Sequence, residues 1–227
     1  MKTIAGEKTT LTTTSKISQG LMRVFNHFPF IPSKRCYNLT ISETKKFVWF
    51  RVAKIGTRTI YEHLKESRTD LSLEHPYNVL YAPRLYKDYF KFGFVRNPWD
   101  RIVSTWHNKV VEENYFKFND IELKRMRHFN NFVDYVLTLD IEKCNNHFRS
   151  QCALIDLNEI DYLGRYESFE DNLRYVLSRI GIKPDRLLWK NKSNRKKDYR
   201  SYYNNALKDK VYQIYQKDID IFGYQFD

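Results

Sequence analysis

Basic and hydroxyl side chains stand where two apolar segments of this sequence give way to predicted helices. The first set, Lys54 to Thr59, follows the apolar segment 45–52, and the second begins with Arg96 after residues 90–95. In α/β proteins the first turn of a helix has unpaired N–H groups and the positive end of the helix dipole, so anions bind there. Two such junctions in one chain predict a ligand that carries two separate anionic groups, such as a doubly phosphorylated nucleotide.

The first junction, residues 54–59, has the composition of a phosphate-binding loop without being a Walker A motif. Gly56 lets the backbone approach an anion closely, and Thr57 and Thr59 supply hydroxyl groups. Lys54 adds a mobile positive charge. A Walker A motif, GxxxxGK[ST], carries its lysine at the end of the loop, whereas here the lysine comes first. The alternative interpretation is an ordinary strand-to-helix turn with a surface lysine.

The second junction combines a guanidinium with a hydroxyl. Arg96 ends the apolar run, and Ser104 follows eight residues later in a predicted helix. The planar fork of arginine matches a phosphate group, and serine adds a hydroxyl. If the two strands end side by side in the sheet, one ligand can contact both Lys54 and Arg96. The alternative is a structural salt bridge between Arg96 and Asp100.

The segments around these junctions predict alternating strands and helices. Residues 45–52 and 90–95 are apolar on both faces, which is typical of central parallel strands. A third strand is predicted at 161–166, and helices are predicted at 59–66, 98–113, 132–139, 168–182 and 201–222. We therefore expect one α/β domain over residues 45–227, with a mainly parallel sheet flanked by helices and a ligand at the carboxyl ends of the strands. Residues 1–44 are predicted to be a partly disordered N-terminal extension.

Positive charge dominates the composition of the 227-residue chain. Lysine and arginine outnumber aspartate and glutamate by 39 to 27, a net charge of +12 that favours polyanionic partners. Three cysteines show no spacing of a disulfide framework, so a reducing compartment is expected. No apolar run has the length of a membrane span, and no signal-peptide core is recognisable. We therefore expect a cytoplasmic protein, with peripheral membrane association as the alternative.

Other interpretations of the charge and of the cysteines stay open. Residues 183–200 hold eight basic and two acidic side chains with aromatic residues between them, which would suit nucleic acid, but a doubly anionic ligand explains the same charge. Cys144, His147 and Cys152 offer only three ligands and no second CxxC, so no metal ion is predicted. A P-loop kinase is the nearest enzymatic alternative, although the Walker lysine is missing.

Together, the two junctions resemble motifs of the sulfotransferases that use 3′-phosphoadenosine 5′-phosphosulfate (PAPS). The matching segments are KxGTxT, which begins at residue 54, and VRNPWDRIVS, which begins at residue 95. The segments YFKFGFVRNP, DYLGRYESFEDNL and the tail VYQIYQKDIDIFGYQF are similar to the carbohydrate sulfotransferase branch called family 2. The resemblance covers most of the chain, from residue 45 to 225. It implies a P-loop-NTPase-like sulfotransferase fold and transfer of a sulfonate from PAPS to a hydroxyl, with 3′,5′-ADP as the second product.

The same resemblance implies roles for individual residues. Lys54 would contact the oxygen that bridges the sulfonate and the 5′-phosphate, and Arg96 and Ser104 would bind the 3′-phosphate. The residues implied to surround the 5′-phosphate are Ile55, Gly56, Thr57, Arg58 and Thr59. Of these, Arg58 departs from the small or hydroxyl residue that is usual in relatives. A late loop that closes over the cofactor would contain Lys192, Ser193 and Arg195.

The reaction also needs a base for the acceptor hydroxyl and a surface that binds the acceptor. His75 lies between the two motifs, where relatives place a catalytic histidine, and histidine titrates near neutrality. Glu74 is the alternative base, and a purely structural role for His75 also stays open. The acceptor is expected to be a carbohydrate that contacts residues within 67–89 and 113–131, namely Glu74, Tyr77, Tyr81, Tyr115, Phe116, Lys124, Arg125 and Arg127. PAPS and this acceptor are the predicted partners, whereas a metal ion and nucleic acid are not.

Overall fold

Seven short strands and six α-helices form the described part of the chain in the computed structural model, namely residues 35–66, 71–80, 82–182 and 198–227. The strands are β1 (Cys36–Tyr37), β2 (Leu39–Ser42), β3 (Phe47–Phe50), β4 (Leu73–Glu74), β5 (Val79–Leu80), β6 (Phe90–Val95) and β7 (Tyr162–Arg165). The α-helices are α1 (Thr57–Glu66), α2 (Pro98–Trp106), α3 (Asp120–Met126), α4 (Phe129–Leu137), α5 (Phe169–Arg179) and α6 (Asn205–Phe222). The described elements also include 3₁₀ helices at Pro83–Tyr86, Gln151–Ala153, Tyr166–Ser168 and Tyr199–Tyr202, and a π-helix at His107–Glu112.

Five of the strands pair in the order β4-β2-β3-β6-β7, and β1 pairs separately with β5. Strands β3 and β6 are parallel neighbours, with Phe47 opposite Phe90 and Phe50 opposite Gly93, as the two apolar segments predicted. Strand β2 pairs antiparallel with both β3 and β4. The α/β class is therefore confirmed, and the predicted parallel pairing holds for β3 and β6. The sheet as a whole is mixed rather than mainly parallel.

A short turn explains the antiparallel half of the sheet. Only residues 43–46 join β2 to β3, which is too short for the crossover that parallel strands require. Lys46 in this turn has a φ of 49°. Strand β2 lies inside the predicted extension 1–44, yet its four residues are all buried, and Ile41 pairs with Val48 of β3. The sheet therefore begins before residue 45.

Aromatic side chains form the core around the two parallel strands. Trp49 of β3 and Phe92 of β6 stack with ring planes 3° apart and ring centroids 6.1 Å apart. Phe94 of β6 packs on Phe169 of α5 with a centroid distance of 5.4 Å. All four rings are buried, so the high aromatic content serves packing on the sheet. This packing fixes the points at which the chain leaves β3 and β6 for the two predicted junctions.

The chain divides into two compact units, which we call the sheet unit and the helical unit. The sheet unit is drawn from Met1–Val52, Gly56–Phe94 and Leu154–Lys190, and it includes α1 and α5. The helical unit is drawn from Ala53–Ile55, Val95–Ala153 and Asn191–Asp227, and it includes α2, α3, α4 and α6. Within the helical unit, α6 packs against both α2 and α4.

Helix α2 begins as its sequence predicted and then changes type. Pro98 occupies its first turn, and the side chain of Asn97 caps it by accepting a hydrogen bond from the Trp99 N–H at 3.0 Å. The predicted helix 98–113 continues beyond Trp106 as the π-helix. Short π-helical segments occur frequently at functional sites. None of the helices in the described ranges combines the length and apolarity needed to cross a membrane.

Helix α5, Phe169–Arg179, lies within the helix predicted at 168–182. Gly181, with a φ of 71°, follows the last turn, and the Ile182 N–H donates to the Leu177 carbonyl at 2.8 Å. Ser168 occupies the N-cap position, but its side chain makes no capping hydrogen bond. Its carbonyl instead accepts a hydrogen bond from the Asn172 side chain at 2.6 Å. The backbone of Ser168, and not its hydroxyl, therefore takes part in the hydrogen bonding at the start of this helix.

Candidate active site

Lys54 combines a strained backbone with a specific side-chain partner. Its φ is 71°, in the left-handed region that non-glycine residues rarely adopt and that is enriched at functional sites. Its Nζ donates a hydrogen bond to Asn108 Oδ1 at 2.9 Å. Asn108 Nδ2 in turn donates to Glu112 at 2.9 Å and to Glu113 at 3.0 Å. The π-helix and the residue after it therefore hold the Lys54 ammonium through an amide and two carboxylates.

Arg96 brings the two predicted motifs together. Its Nη1 donates a hydrogen bond to the carbonyl of Lys54 at 2.9 Å. Its Nε and Nη2 each lie 2.6 Å from Asp100 Oδ2, so the salt bridge that the sequence left open is present. Arg96 is only 3% exposed, and the carboxylate orients its buried guanidinium. The predicted proximity of Lys54 and Arg96 is confirmed.

A second buried guanidinium, that of Arg101 in α2, holds the loop that carries Lys54. Arg101 is 1% exposed. It donates hydrogen bonds to the carbonyls of Ala53 at 3.1 Å, Asn146 at 3.1 Å and Arg149 at 3.0 Å. Burial lowers the pKa of this guanidinium, but arginine stays charged in proteins. One side chain therefore fixes two separate segments, the one that precedes Lys54 and the one around residues 146–149.

The backbone of Arg96 is held by the 3₁₀ helix that begins at Gln151. The Gln151 side chain accepts a hydrogen bond from the Arg96 N–H at 3.0 Å and donates one to the Arg96 carbonyl at 2.8 Å. The fully buried carboxylate of Asp218 in α6 accepts hydrogen bonds from Ser150 Oγ at 2.6 Å, Gln151 N–H at 2.7 Å and Cys152 N–H at 2.9 Å. Three donors satisfy this buried charge. Asp218 therefore holds Gln151, and Gln151 in turn holds the backbone of Arg96.

In the sheet unit, Gly56 and Thr57 form the start of α1. Gly56 has a φ of 84°, and a Cβ at this position would lie 2.8 Å from the ring of Phe169, so only glycine fits. The Thr57 hydroxyl donates a hydrogen bond to the Val52 carbonyl at 2.9 Å. That hydroxyl therefore stabilises the turn itself. The backbone N–H groups in the first turn of α1 are the groups suited to an anion here.

The other residues of the predicted PAPS site differ in exposure. Ile55 and Ser104 are buried in the helical unit. In α1, Thr59 is buried whereas Arg58 is exposed, so the charge that departs from the family pattern is solvated. The residues of the predicted late loop, Lys192, Ser193 and Arg195, lie outside the described residues.

His75, the predicted base, is a neutral imidazole in the sheet unit. Its Nδ1 lies 3.0 Å from Thr40 Oγ1, and Tyr61 meets its ring edge-on at a centroid distance of 5.0 Å. Burial, followed by the charge of Arg51, lowers the pKa of His75 from 6.5 to about 4. The side chain is therefore unprotonated at neutral pH, the state that a base requires. Glu74, the alternative base, immediately precedes it in β4.

The residues predicted to bind the acceptor are divided between the two units. Tyr115, in the helical unit, is 41% exposed, and the Lys109 ammonium lies 4.7 Å from its ring centroid. Tyr115 therefore contacts the same π-helix that holds Lys54. Arg125 is exposed on α3, whereas Tyr77 is exposed in the sheet unit. Of the others, Lys124 and Arg127 are exposed, Phe116 is half-buried, and Tyr81 lies outside the described residues.

Cys144, His147 and Cys152, the three residues considered as metal ligands, lie in the described part of the chain. Burial raises the pKa of Cys144 and of Cys152 to about 11, so both thiols are protonated at neutral pH. In residues 35–66, 71–80, 82–182 and 198–227, no group of three or more histidine, cysteine, aspartate or glutamate side chains could hold a metal ion. His147 lies in the segment held by Arg101, and its Nδ1 lies 2.9 Å from Asn145 Oδ1.

Comparison with known families identifies the family of the chain. A family model described as the Sulfotransferase family matches residues 37–225. The chain belongs to this family. The match includes strand β2 as well as both junctions that bring Lys54 and Arg96 together.

Curated members with related names share part of their length with the chain. Carbohydrate sulfotransferase 14 of Danio rerio is 29% identical over 45% of this chain and 34% of its own length. Carbohydrate sulfotransferase 11 of Mus musculus is 29% identical over 42% of this chain and 34% of its own length. Carbohydrate sulfotransferase 10 of Xenopus laevis is 26% identical over 77% of this chain and 57% of its own length. The chain thus spans between a third and somewhat over half of these relatives, and no solved structure matches it significantly.

Within this candidate site, the sequence pattern did not single out Arg101, Asn108 or Gln151. One signal was available for two of them, because Arg101 precedes Ser104 by three residues and Asn108 follows it by four. Residues three and four apart share one face of a helix, so these side chains belong with Ser104. Gln151 carried no local signal, since its partner Arg96 lies 55 residues earlier in the chain.

Proposed function

We propose that this chain transfers a sulfonate group from PAPS to a carbohydrate hydroxyl. The observation that supports the proposal most directly is the hydrogen bond from Arg96 Nη1 to the Lys54 carbonyl at 2.9 Å, because it joins the two motifs implied to bind PAPS. Membership of the Sulfotransferase family supports the reaction class. Relatives that are named carbohydrate sulfotransferases support the acceptor class.

The proposal assigns each anionic end of the nucleotide to one of the two motifs. In this proposal Arg96 and Ser104 hold the 3′-phosphate, and Asp100 keeps the guanidinium in one orientation. The 5′-phosphate takes the N–H groups in the first turn of α1, beside Gly56. We also infer a P-loop-NTPase-like arrangement, because parallel strands β3 and β6 are each followed by one of the two anion-binding segments.

Lys54 has the chemistry that the leaving group requires. PAPS supplies an activated sulfonate, and in-line attack on its sulfur leaves negative charge on the oxygen that bridges to the 5′-phosphate. The Lys54 ammonium stabilises that charge and can donate a proton to it. Removal of one such donor typically costs roughly 100–1,000-fold in rate. Asn108 holds the ammonium in place at 2.9 Å until it exchanges this partner for the leaving oxygen.

The identity of the base and the cellular location also belong to this proposal. His75 is the base that the family resemblance implies, and its lowered pKa of about 4 keeps it unprotonated at neutral pH. A cytoplasmic location is proposed from the sequence, because the three cysteines show no spacing of a disulfide framework.

Thermal shift and calorimetry with small nucleotides test the donor. We expect 3′,5′-ADP to bind, and at about 100 times its Kd to add about 2.7 kcal/mol to the free energy of unfolding. For a chain of this size that corresponds to a Tm increase of about 5–11 °C. Arg96→Ala should abolish the increase, whereas Arg174→Ala, an exposed arginine of α5, should keep it.

Each alternative function predicts a different ligand in the same experiment. A P-loop kinase would prefer ATP with Mg²⁺ over 3′,5′-ADP. A nucleic-acid-binding module would ignore 3′,5′-ADP and bind single-stranded RNA with a steep dependence on salt. Either result would contradict the proposed function.

A further inference from the structure

We propose that the sheet unit carries a second binding surface, at the amino ends of strands β3 and β6, which takes a sulfated polysaccharide. The surface consists of Lys45, Lys46 and Arg179, which we call the cation cluster. The choice of partner rests on the proposed function, because sulfonate transfer to a carbohydrate makes a polyanion of this class. The cluster itself follows from contacts that do not depend on that function.

Contacts between two strands and one helix bring the three cations together. Lys46 directly precedes β3, and its carbonyl accepts a hydrogen bond from the N–H of Phe90, the first residue of β6, at 2.8 Å. The Arg179 guanidinium, at the end of α5, lies 5.3 Å from the centroid of the Phe90 ring. Lys45 Nζ lies 3.4 Å from the place that a Cβ on Gly181 would occupy. The beginnings of both parallel strands and the end of α5 therefore meet at one place.

Aromatic rings hold two of these cations. Lys46 Nζ lies 4.9 Å from the centroid of the Tyr89 ring and donates a hydrogen bond to the Tyr89 hydroxyl at 3.3 Å. Arg179 lies over Phe90 in the same way. The face of an aromatic ring attracts a cation through its quadrupole, but it carries no net charge. Both cations are therefore held in position without being neutralised.

No carboxylate among the described residues pairs with the cation cluster. By contrast, the exposed Arg174 of the same helix pairs with Glu170 at 2.8 Å. The carboxyl end of α5 supplies a partial negative charge of about half a unit, which offsets only a small part of three positive charges. The sequence that follows is also basic, with eight basic and two acidic residues in 183–200. The cluster therefore keeps a positive charge that an anionic partner can neutralise.

A sulfated polysaccharide fits this surface better than a nucleic acid or a membrane does. Ammonium and guanidinium groups both bind tetrahedral oxyanions such as sulfate. Single-stranded nucleic acid also needs open aromatic faces for base stacking, whereas Tyr89 and Phe90 are half-buried and carry cations. Helices that lie on membranes add exposed apolar side chains to their cations, and none of the three members of the cluster is apolar.

The cluster is separate from the anion-binding turn in the same unit. Strand β3, Phe47–Phe50, lies between Lys46 and the turn at Gly56, and its four residues span about 13 Å. A long carbohydrate held at the cluster stays at a high effective concentration near the protein, so its unmodified hydroxyls rebind readily. We therefore expect the cluster to retain a partly sulfated chain between rounds of transfer.

Fluorescence anisotropy with labelled dextran sulfate measures this binding, and uncharged dextran is the matched probe. Saturating 3′,5′-ADP is present, so that the cofactor site does not contribute. For Lys46→Gln combined with Arg179→Gln, we expect dextran sulfate to bind about 10–100-fold more weakly, with a salt slope lower by about two. The control combines Lys143→Gln with Arg174→Gln, which removes the same charge from exposed, paired positions and should bind within about twofold of wild type.

A second measurement needs no variant. Dextran sulfate should protect Lys46 of the wild type from acetylation, whereas Lys143, whose side chain is 84% exposed, should stay reactive. The proposal is overturned if both double variants bind dextran sulfate equally, if Lys46 is not protected, or if the wild type prefers single-stranded RNA or anionic phospholipid vesicles. None of these measurements requires turnover. Failure of the wild type to bind 3′,5′-ADP would instead count against the proposed function, and binding of dextran sulfate is then measured without it.

Discussion

Replacement of Arg101 by methionine should destabilise the helical unit and loosen the loop that carries Lys54. Methionine has a similar length but cannot donate, so the carbonyls of Ala53, Asn146 and Arg149 lose hydrogen bonds of 3.0–3.1 Å. Loss of one partner from a buried charged network typically costs about 3–5 kcal/mol. Each kcal/mol lowers the Tm of a chain this size by about 2–4 °C, so the expected decrease is about 6–20 °C.

Thermal denaturation followed by circular dichroism measures this decrease, and Arg174→Ala is the matched control. Arg174 also pairs with a carboxylate, that of Glu170 at 2.8 Å, but its side chain is 57% exposed. An exposed pair of this kind contributes about 0.5 kcal/mol or less, which corresponds to about 2 °C. If Arg101→Met melts within that margin of wild type, the three hydrogen bonds do not hold the site as we describe.

The remaining predictions concern the Asp218 network that holds Arg96, the turn before α1 and the decrease in Tm at acidic pH. Asp218→Asn should lower the Tm by more than Arg174→Ala does, and should weaken 3′,5′-ADP binding in calorimetry, because an amide cannot accept all three hydrogen bonds. Gly56→Ala should cost about 1–3 kcal/mol in urea denaturation, because φ is 84° and its Cβ would meet the Phe169 ring at 2.8 Å. The pKa of His75 falls from 6.5 unfolded to about 4 folded, so the unfolded chain binds more protons between these values. Its contribution to stability is therefore complete above pH 6.5 and is lost as the pH falls toward 4. His75→Gln should reduce the fall in Tm over this range.

Parts of the fold that depend on local pattern could be predicted from the sequence. Residues 47–50 and 90–95 are apolar on both faces, and they form the parallel central strands β3 and β6. Pro98 and Gly181 mark the beginning of α2 and the end of α5 because each has a conformational constraint of its own. Such signals belong to the residue itself and need no partner elsewhere.

Strand β2 could not be predicted in the same way, because its polar residues are buried by distant partners. Thr40 and Ser42 are fully buried in this strand. Thr40 contacts His75 at 3.0 Å, and the Ser42 hydroxyl donates to the Leu71 carbonyl. These partners lie 35 and 29 residues away in the sequence. The sequence of the short segment by itself therefore indicates a polar extension and not a buried strand.

The candidate site also combines features that the sequence indicates with features that depend on distant partners. The proximity of Lys54 and Arg96 follows from two neighbouring parallel strands, which the sequence indicated. The support of the site consists instead of backbone carbonyls bound by Arg101 and of the Gln151 amide. Carbonyls are present at every residue, so no sequence pattern indicates which of them a buried side chain will bind.

Sulfonate transfer by Lys54→Ala, compared with the wild type, tests the central claim most directly. PAPS with radiolabelled sulfonate is incubated with a panel of unsulfated polysaccharides, and label on the carbohydrate is measured together with release of 3′,5′-ADP. The control is Lys143→Ala, because the Lys143 side chain is 84% exposed in the same unit. We predict that wild type and control transfer the label, whereas Lys54→Ala loses roughly 100–1,000-fold in rate while still folding. Transfer at the wild-type rate by Lys54→Ala would contradict the account.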